Sequence, residues 1–210
     1  MPVYDRKDRF YQQAKAEGYR SRAAFKLLEL DRRHRLLGRG ARVLDLGCAP
    51  GGWVQVAAAA VGPKGRVVGI DRLEVPPLGL GQARVLLGDL ADEGSLARLA
   101  EALGGPADVV LSDMAPDTSG VGFQDHVRSV ELVRLALGVA RGLLRPGGAM
   151  LAKVFEGPDL QALVAELKAA FGRLKRIKPE ATRKGSRELY LLCEDHRAPA
   201  ATAGRHEERA

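Results

Sequence analysis

Val43-Leu44-Asp45-Leu46-Gly47-Cys48-Ala49-Pro50-Gly51-Gly52-Trp53 reads as a buried strand, a glycine-rich turn and the opening of a helix. Strand signals at Arg42–Leu46, Arg66–Asp71, Arg84–Gly88, Asp108–Asp113, Ala149–Phe155, Leu174–Lys178 and Glu188–Cys193 flank or contain it. Helix signals at Gly52–Ala60, Glu93–Leu103, Asp125–Leu144 and Asp159–Phe171 alternate with them. Continuous apolar runs such as Val109-Val110-Leu111 suit strands covered on both faces. The pattern predicts an α/β fold with a doubly wound, seven-stranded, mainly parallel sheet and helices on both faces. The last two strands lack an intervening helix, so an antiparallel hairpin is expected at one edge. Two basic helices precede the sheet, over residues 5–17 and 22–37, the second with Ser21 as N-cap and Gly38 as its stop.

The chain has 210 residues, enough for one α/β domain with an extension. The expected organisation is a basic helical extension over 1–40 packed on a catalytic domain over 41–195, with a disordered tail over 196–210. The cysteines are Cys48 and Cys193, without CxxC or HxxxH spacing. No metal site is expected, and a reducing cytoplasm fits. No apolar run approaches the roughly 18 residues of a membrane span, and a membrane partner is not expected. The net charge of +7 is segregated. Residues 1–42 carry twelve Lys/Arg against five Asp/Glu, and residues 171–188 carry seven against two, while 43–170 are mildly acidic. Two basic segments on an otherwise neutral body suggest a polyanionic partner. Arg20, Arg22, Arg32 and Arg33 are the expected phosphate contacts.

The glycine turn stands where ligands bind in a doubly wound sheet, at a strand's carboxyl end. A nicotinamide site would want GxGxxG, but Gly47 is followed by Cys-Ala-Pro-Gly-Gly. Asp45 sits in the turn region, where its charge would oppose a diphosphate. S-adenosylmethionine, cationic and phosphate-free, fits better. Asp71 ends the next strand, about where a carboxylate accepts from ribose hydroxyls. Asp89 ends the third strand, suited to an adenine amino group.

Ser112-Asp113-Met114-Ala115-Pro116 follows the fourth strand, and Lys153 lies inside the fifth. A lysine in a buried strand must be paired or lose its proton. Glu188 opens the final strand, and Lys26 lies on the second basic helix beside an Ala23/Leu27/Leu30 stripe. A non-catalytic RNA-binding or ribosome-assembly protein is the rival reading from charge alone. It would need neither the glycine loop nor a strand lysine.

The ordered motifs Ser21-Arg22-Ala23-Ala24-Phe25-Lys26, Asp45 to Trp53, Ser112 to Pro116, Lys153-Val154-Phe155 and Ser186-Arg187-Glu188-Leu189-Tyr190 resemble the FtsJ/RrmJ ribosomal RNA 2′-O-methyltransferases over about residues 5–195. The resemblance implies a Rossmann-like S-adenosylmethionine-dependent methyltransferase. It implies a catalytic tetrad of Lys26, Asp113, Lys153 and Glu188, and cofactor contacts at Gly51, Trp53, Asp71, Asp89 and Asp113. The implied reaction is methylation of a uridine ribose near the peptidyl-transferase region of large-subunit rRNA, by a monomer acting on 23S rRNA or the 50S subunit. Relatives that act on tRNA or mRNA caps share the tetrad. Two departures stand out: Asp117 in place of a usual Asn, and Cys48 in place of a usual Ala. A ribose hydroxyl is a weak acid and needs a proton acceptor, for which Lys153 is the candidate.

Overall fold

Period-two alternation along the central strands sorts their side chains onto two faces. The computed structural model describes residues 9–116, 122–183 and 185–197. In β1 (Arg42–Leu46), Val43 turns to one face and Leu44 and Leu46 to the other. In β2 (Arg66–Asp71) and β4 (Ala107–Ser112) the same division holds, with Val67, Val109 and Leu111 on the first face and Val68, Ile70 and Val110 on the second. The sheet is completed by β3 (Ala83–Leu87), β5 (Leu144–Phe155), β6 (Phe171–Ile177) and β7 (Glu188–His196).

Its order is β3-β2-β1-β4-β5-β7-β6. The strands from β3 to β5 pair in parallel, and β7 runs antiparallel to both of its neighbours. The final hairpin is present, but β7 is inserted beside β5 and β6 forms the edge. The reason is visible in β7, whose residues 189–193 are all buried, whereas β6 is mostly exposed. β5 starts at Leu144, five residues before the expected Ala149, through an irregular pairing with Ala107.

Helices α4 (Ser95–Leu103), α5 (Gly122–Leu143) and α6 (Leu160–Ala170) cover one face. Helices α2 (Ala24–His34) and α3 (Gly52–Val61) cover the other. The fold is doubly wound and Rossmann-like. Ala24, Leu27 and Leu30 recur at helical spacing along α2 and are 0% exposed, in one core with α3 and the sheet. At roughly 1.5–3 kcal/mol per fully buried leucine, this stripe fixes α2 firmly. α1 (Arg9–Ala16) rests on α2, with Phe10 and Phe25 centroids 5.8 Å apart.

Several expected helix limits are corrected. The N-cap of α2 is Ala23, without a side-chain cap, so Ser21 does not cap it. The helix ends at Arg35, which takes left-handed backbone (φ 53°) and donates its N–H to Asp31 O. Gly38 therefore lies beyond the stop. β7 runs through His196, which is 3% exposed, so the expected tail loses its first residue to the sheet. The rest of that tail, from 198, and the start of the first expected helix lie outside the described residues.

Candidate active site

β1 and β4 are neighbours, yet the chain leaves them in opposite directions, toward β3 and toward β6. That divergence opens a crevice at their carboxyl ends. The loop after β1 is shaped by Gly47 (φ 74°) and by Gly51 (φ 107°), which caps α3. Met114 packs so close to Gly47 that an added Cβ would collide with it. Cys48 is buried beneath the loop against Gly69. Burial, helped by Asp45 and Asp71, pushes its thiol well up, so Cys48 fills space as an unreactive thiol. Asp117 lies outside the described residues.

Four carboxyls stand at the ends of four adjacent strands. Asp71 Oδ2 accepts the Ala49 N–H at 2.8 Å and its Oδ1 accepts that of Leu73 at 2.9 Å. It thus ties β2 to the glycine loop and keeps lone pairs for a further donor. Asp89 Oδ1 accepts the Ala91 N–H at 2.9 Å. Asp45 is a strand residue, 0% exposed, and neither carboxyl oxygen has a partner among the described residues. Burial, then Asp113 and Asp71, raise its carboxyl well above the ordinary range. With the Asp71 and Asp113 carboxyls beside it, the loop fits a cationic, phosphate-free group such as S-adenosylmethionine better than a diphosphate.

The four residues expected from scattered motifs come together on the α2 face. Lys153, 7% exposed, donates from Nζ to Asp113 O at 2.5 Å and lies 3.0 Å from Asp113 Oδ1. Lys26 Nζ donates to Glu188 Oε1 at 2.5 Å. Register explains the convergence: Lys153 faces Tyr190, and Phe155 faces Glu188, across the β5–β7 pair. Tyr190 joins the two ion pairs. Its hydroxyl donates to Asp113 Oδ1 at 2.6 Å, and its ring lies under Lys26 Nζ at 5.7 Å. Burial pushes the Asp113 carboxyl up, but Lys153, Lys26 and the Tyr190 hydroxyl outweigh it and leave the group below its ordinary range. The same buried surroundings and carboxylates push the Tyr190 phenol up, so it remains a donor.

Tyr190 was not singled out in the sequence, although alternation from Glu188 puts both on one face. Two other assignments change. Trp53 is 3% exposed, donates from Nε1 to Ala23 O at 2.8 Å and packs against Tyr190. Its indole braces α2, so toward a ligand it offers backbone only. Arg20 donates to the carbonyls of Pro76 and Pro77 at 2.6 Å and of Pro50 at 3.3 Å, and Arg22 donates to Ala181 O at 2.5 Å. These two guanidiniums, expected on phosphates, are fasteners between loops. Nothing in the sequence alone pairs an arginine with carbonyls 56 residues away.

Lys26, Glu188, Arg22, Phe155, Arg183 and Ser186 line an open cleft of about 520 Å³. A second cleft, of about 430 Å³, lies at the opposite ends of the strands among residues such as Arg39, Asp108 and Arg145, away from this cluster.

Residues 19–196 match the FtsJ-like methyltransferase family. A protein of Acidiphilium cryptum named ribosomal RNA large subunit methyltransferase E is 50% identical over 194 residues, 92% of this chain and 84% of that one. One of the same name from Halobacterium salinarum is 46% identical over 207 residues, 96% of this chain and 79% of its own length. The crystal structure of a putative ribosomal RNA methyltransferase from Plasmodium falciparum superposes with a TM-score of 0.77 at 30% identity, covering 86% of this chain and all of that one. Fibrillarin of Aeropyrum pernix, solved with S-adenosyl-L-methionine bound, shares the fold at a TM-score of 0.57 and 19% identity, over 83% of this chain and 75% of that one.

Proposed function

Because the chain belongs to the FtsJ-like methyltransferase family, we propose that it methylates the 2′-hydroxyl of a uridine ribose in 23S rRNA, within the peptidyl-transferase region of the large ribosomal subunit. S-adenosylmethionine is its cofactor, and when bound it supplies a methyl group on a positively charged sulfur. Gly51, the backbone at Trp53, Asp71, Asp89 and Asp113 hold it. Lys153, acting as the free amine, takes the proton of the ribose hydroxyl. Asp113 orients that amine through the 3.0 Å contact, and Tyr190 keeps Asp113 ionised. Lys26, held by Glu188, faces the cleft and steadies the ribose or its phosphate.

The observation that carries the reading is Lys153, a lysine 7% exposed in a central strand, beside the crevice where β1 and β4 diverge. A buried ammonium is costly unless paired, and here its partner is Asp113 of the same site. The test is a map of ribose methylation in rRNA from cells with and without the protein. One 2′-O-methyluridine of the large subunit is expected to vanish, to return with the wild-type gene and to stay absent with Lys153→Ala. Unchanged ribose methylation, or loss of a base methyl instead, refutes the proposal.

A further inference from the structure

Phe123 stands on the first turn of α5 with its side chain 61% exposed. The other phenylalanines are engaged: Phe10 and Phe25 pack together, Phe171 is buried and Phe155 lines the cleft. Val127, 36% exposed, lies one helical turn along and extends the apolar ledge.

The ledge's position gives it meaning. His126, three residues on and on the same helix face, is 0% exposed and bonds from Nδ1 to Phe155 O at 2.8 Å, while its Nε2 accepts the Asp159 N–H at 3.0 Å. This imidazole fastens the start of α5 to the end of β5. Phe123 therefore continues the His126 face by one turn toward the carboxyl ends of the strands, on the α5 side of the sheet. The Arg187 guanidinium packs against Gly122 and donates to Glu156 O, and Arg187 immediately precedes Glu188. Phe155, paired in register with Glu188, lines the cleft itself. Phe123, next to Gly122, thus approaches the strand ends from the α5 face, with Arg187 between it and the Lys26–Glu188 cleft, which Arg183 lines from the α2 face.

A ribose hydroxyl reaching Lys153 must leave a helical stack, because the residue is only 7% exposed. The bases on either side are then splayed, and splayed bases are received on aromatic faces with cations on their phosphates. We propose that Phe123 is the stacking platform for a nucleobase next to the reacting nucleotide. The inference rests on the RNA 2′-O-methyltransferase reading above and adds a substrate contact to it.

The experiment follows transfer of labelled methyl from S-adenosylmethionine to large ribosomal subunits, or their rRNA, from cells lacking this protein. Phe123→Ala and Phe123→Leu are expected to raise the KM for RNA about tenfold, the order of one base stack. The kcat, the KM for S-adenosylmethionine and the thermal midpoint stay unchanged. Phe123→Trp restores the wild-type KM, because the indole offers a π-face and leucine does not. A Leu variant equal to wild type, or an effect on the cofactor KM, overturns the inference while leaving the function intact. The Leu and Trp pair keeps the bulk of the side chain, so it decides the matter even if the Ala variant unfolds. A wild-type protein that transfers no methyl to RNA overturns the function and this inference with it.

Discussion

At the scale of the residue, Lys153 and Asp45 sit on the same sheet face with opposite arrangements of partners. Lys153 has Asp113 within 3.0 Å, whereas Asp45 has no hydrogen-bond partner among the described residues. Lys153→Ala is expected to leave cofactor binding nearly intact and to slow single-turnover methyl transfer by about 10²-fold or more. Lys153→Arg should not restore the rate, because a guanidinium keeps its proton. For Asp45 the consequence falls on stability. Its carboxyl is raised well above the value of 3.8 by burial, Asp113 and Asp71. Above that value the folded protein keeps a proton that the unfolded chain has released, so stability declines with rising pH. Asp113, held below its ordinary range, acts oppositely: its stabilisation is present at neutral pH and is lost only in acid. Asp45→Asn should flatten the decline as pH rises from about 4, where an ordinary carboxyl ionises, by up to about 1.4 kcal/mol per pH unit. Urea denaturation of both proteins across that range measures it, and parallel curves would exclude a protonated Asp45.

Among the elements, the sheet was the most legible feature. Apolar runs mark buried strands wherever they occur, and β1 and β2 have the limits that their residues imply. Motif resemblance marked Lys26, Asp113, Lys153 and Glu188, but the approach of Lys153 to Glu188 depends on the β5–β7 register, a long-range pairing that no local signal carries. The position of β7 inside the sheet was hidden for the same reason. Capping was misjudged where tertiary contact overrode local preference: Arg35 takes the left-handed turn, although glycine is the usual occupant. Arg20 was misjudged because charge looks the same in sequence whether it meets phosphate or carbonyl. Its guanidinium joins the glycine loop at Pro50 to the 76–77 segment, two walls beside the acids of β1 and β2. Arg20→Ala is expected to cost about 1.5–3 kcal/mol of stability, the scale of hydrogen bonds to a charged group. It should weaken cofactor binding while leaving the salt dependence of RNA binding unchanged. Denaturation, calorimetry with S-adenosylmethionine and a salt titration separate those three effects.

Over the whole molecule, the two basic segments become one face. α2 meets the stretch between β6 and β7, where Glu29 Oε2 accepts the Glu180 N–H at 2.8 Å and Arg22 holds Ala181 O. Across the same junction, burial, then Lys175 and Arg33, lower the pKa of His34, which marks a cationic neighbourhood. Arg32, Arg33 and Lys175 are exposed there, and the ion pairs of Arg33 with Glu29 and Lys175 with Glu194 lie at the surface, where such pairs are weak. Arg20 and Arg22 already bond loop carbonyls, so we propose the exposed Arg32, Arg33 and Lys175 as the phosphate contacts. If the face holds RNA leading into the Lys26–Glu188 cleft, affinity falls steeply with salt, by roughly 0.7–0.9 in log–log slope for each phosphate neutralised. Replacing Arg32, Arg33 and Lys175 by Gln should therefore lower that slope by about 2. None of the three touches the core, so the melting temperature and S-adenosylmethionine binding should hold. Filter binding of rRNA at a series of salt concentrations gives the slope directly. An unchanged slope in the triple variant would move the RNA off this face, and with it the explanation of why the chain gathers its positive charge from both ends of the sequence onto one side of the sheet.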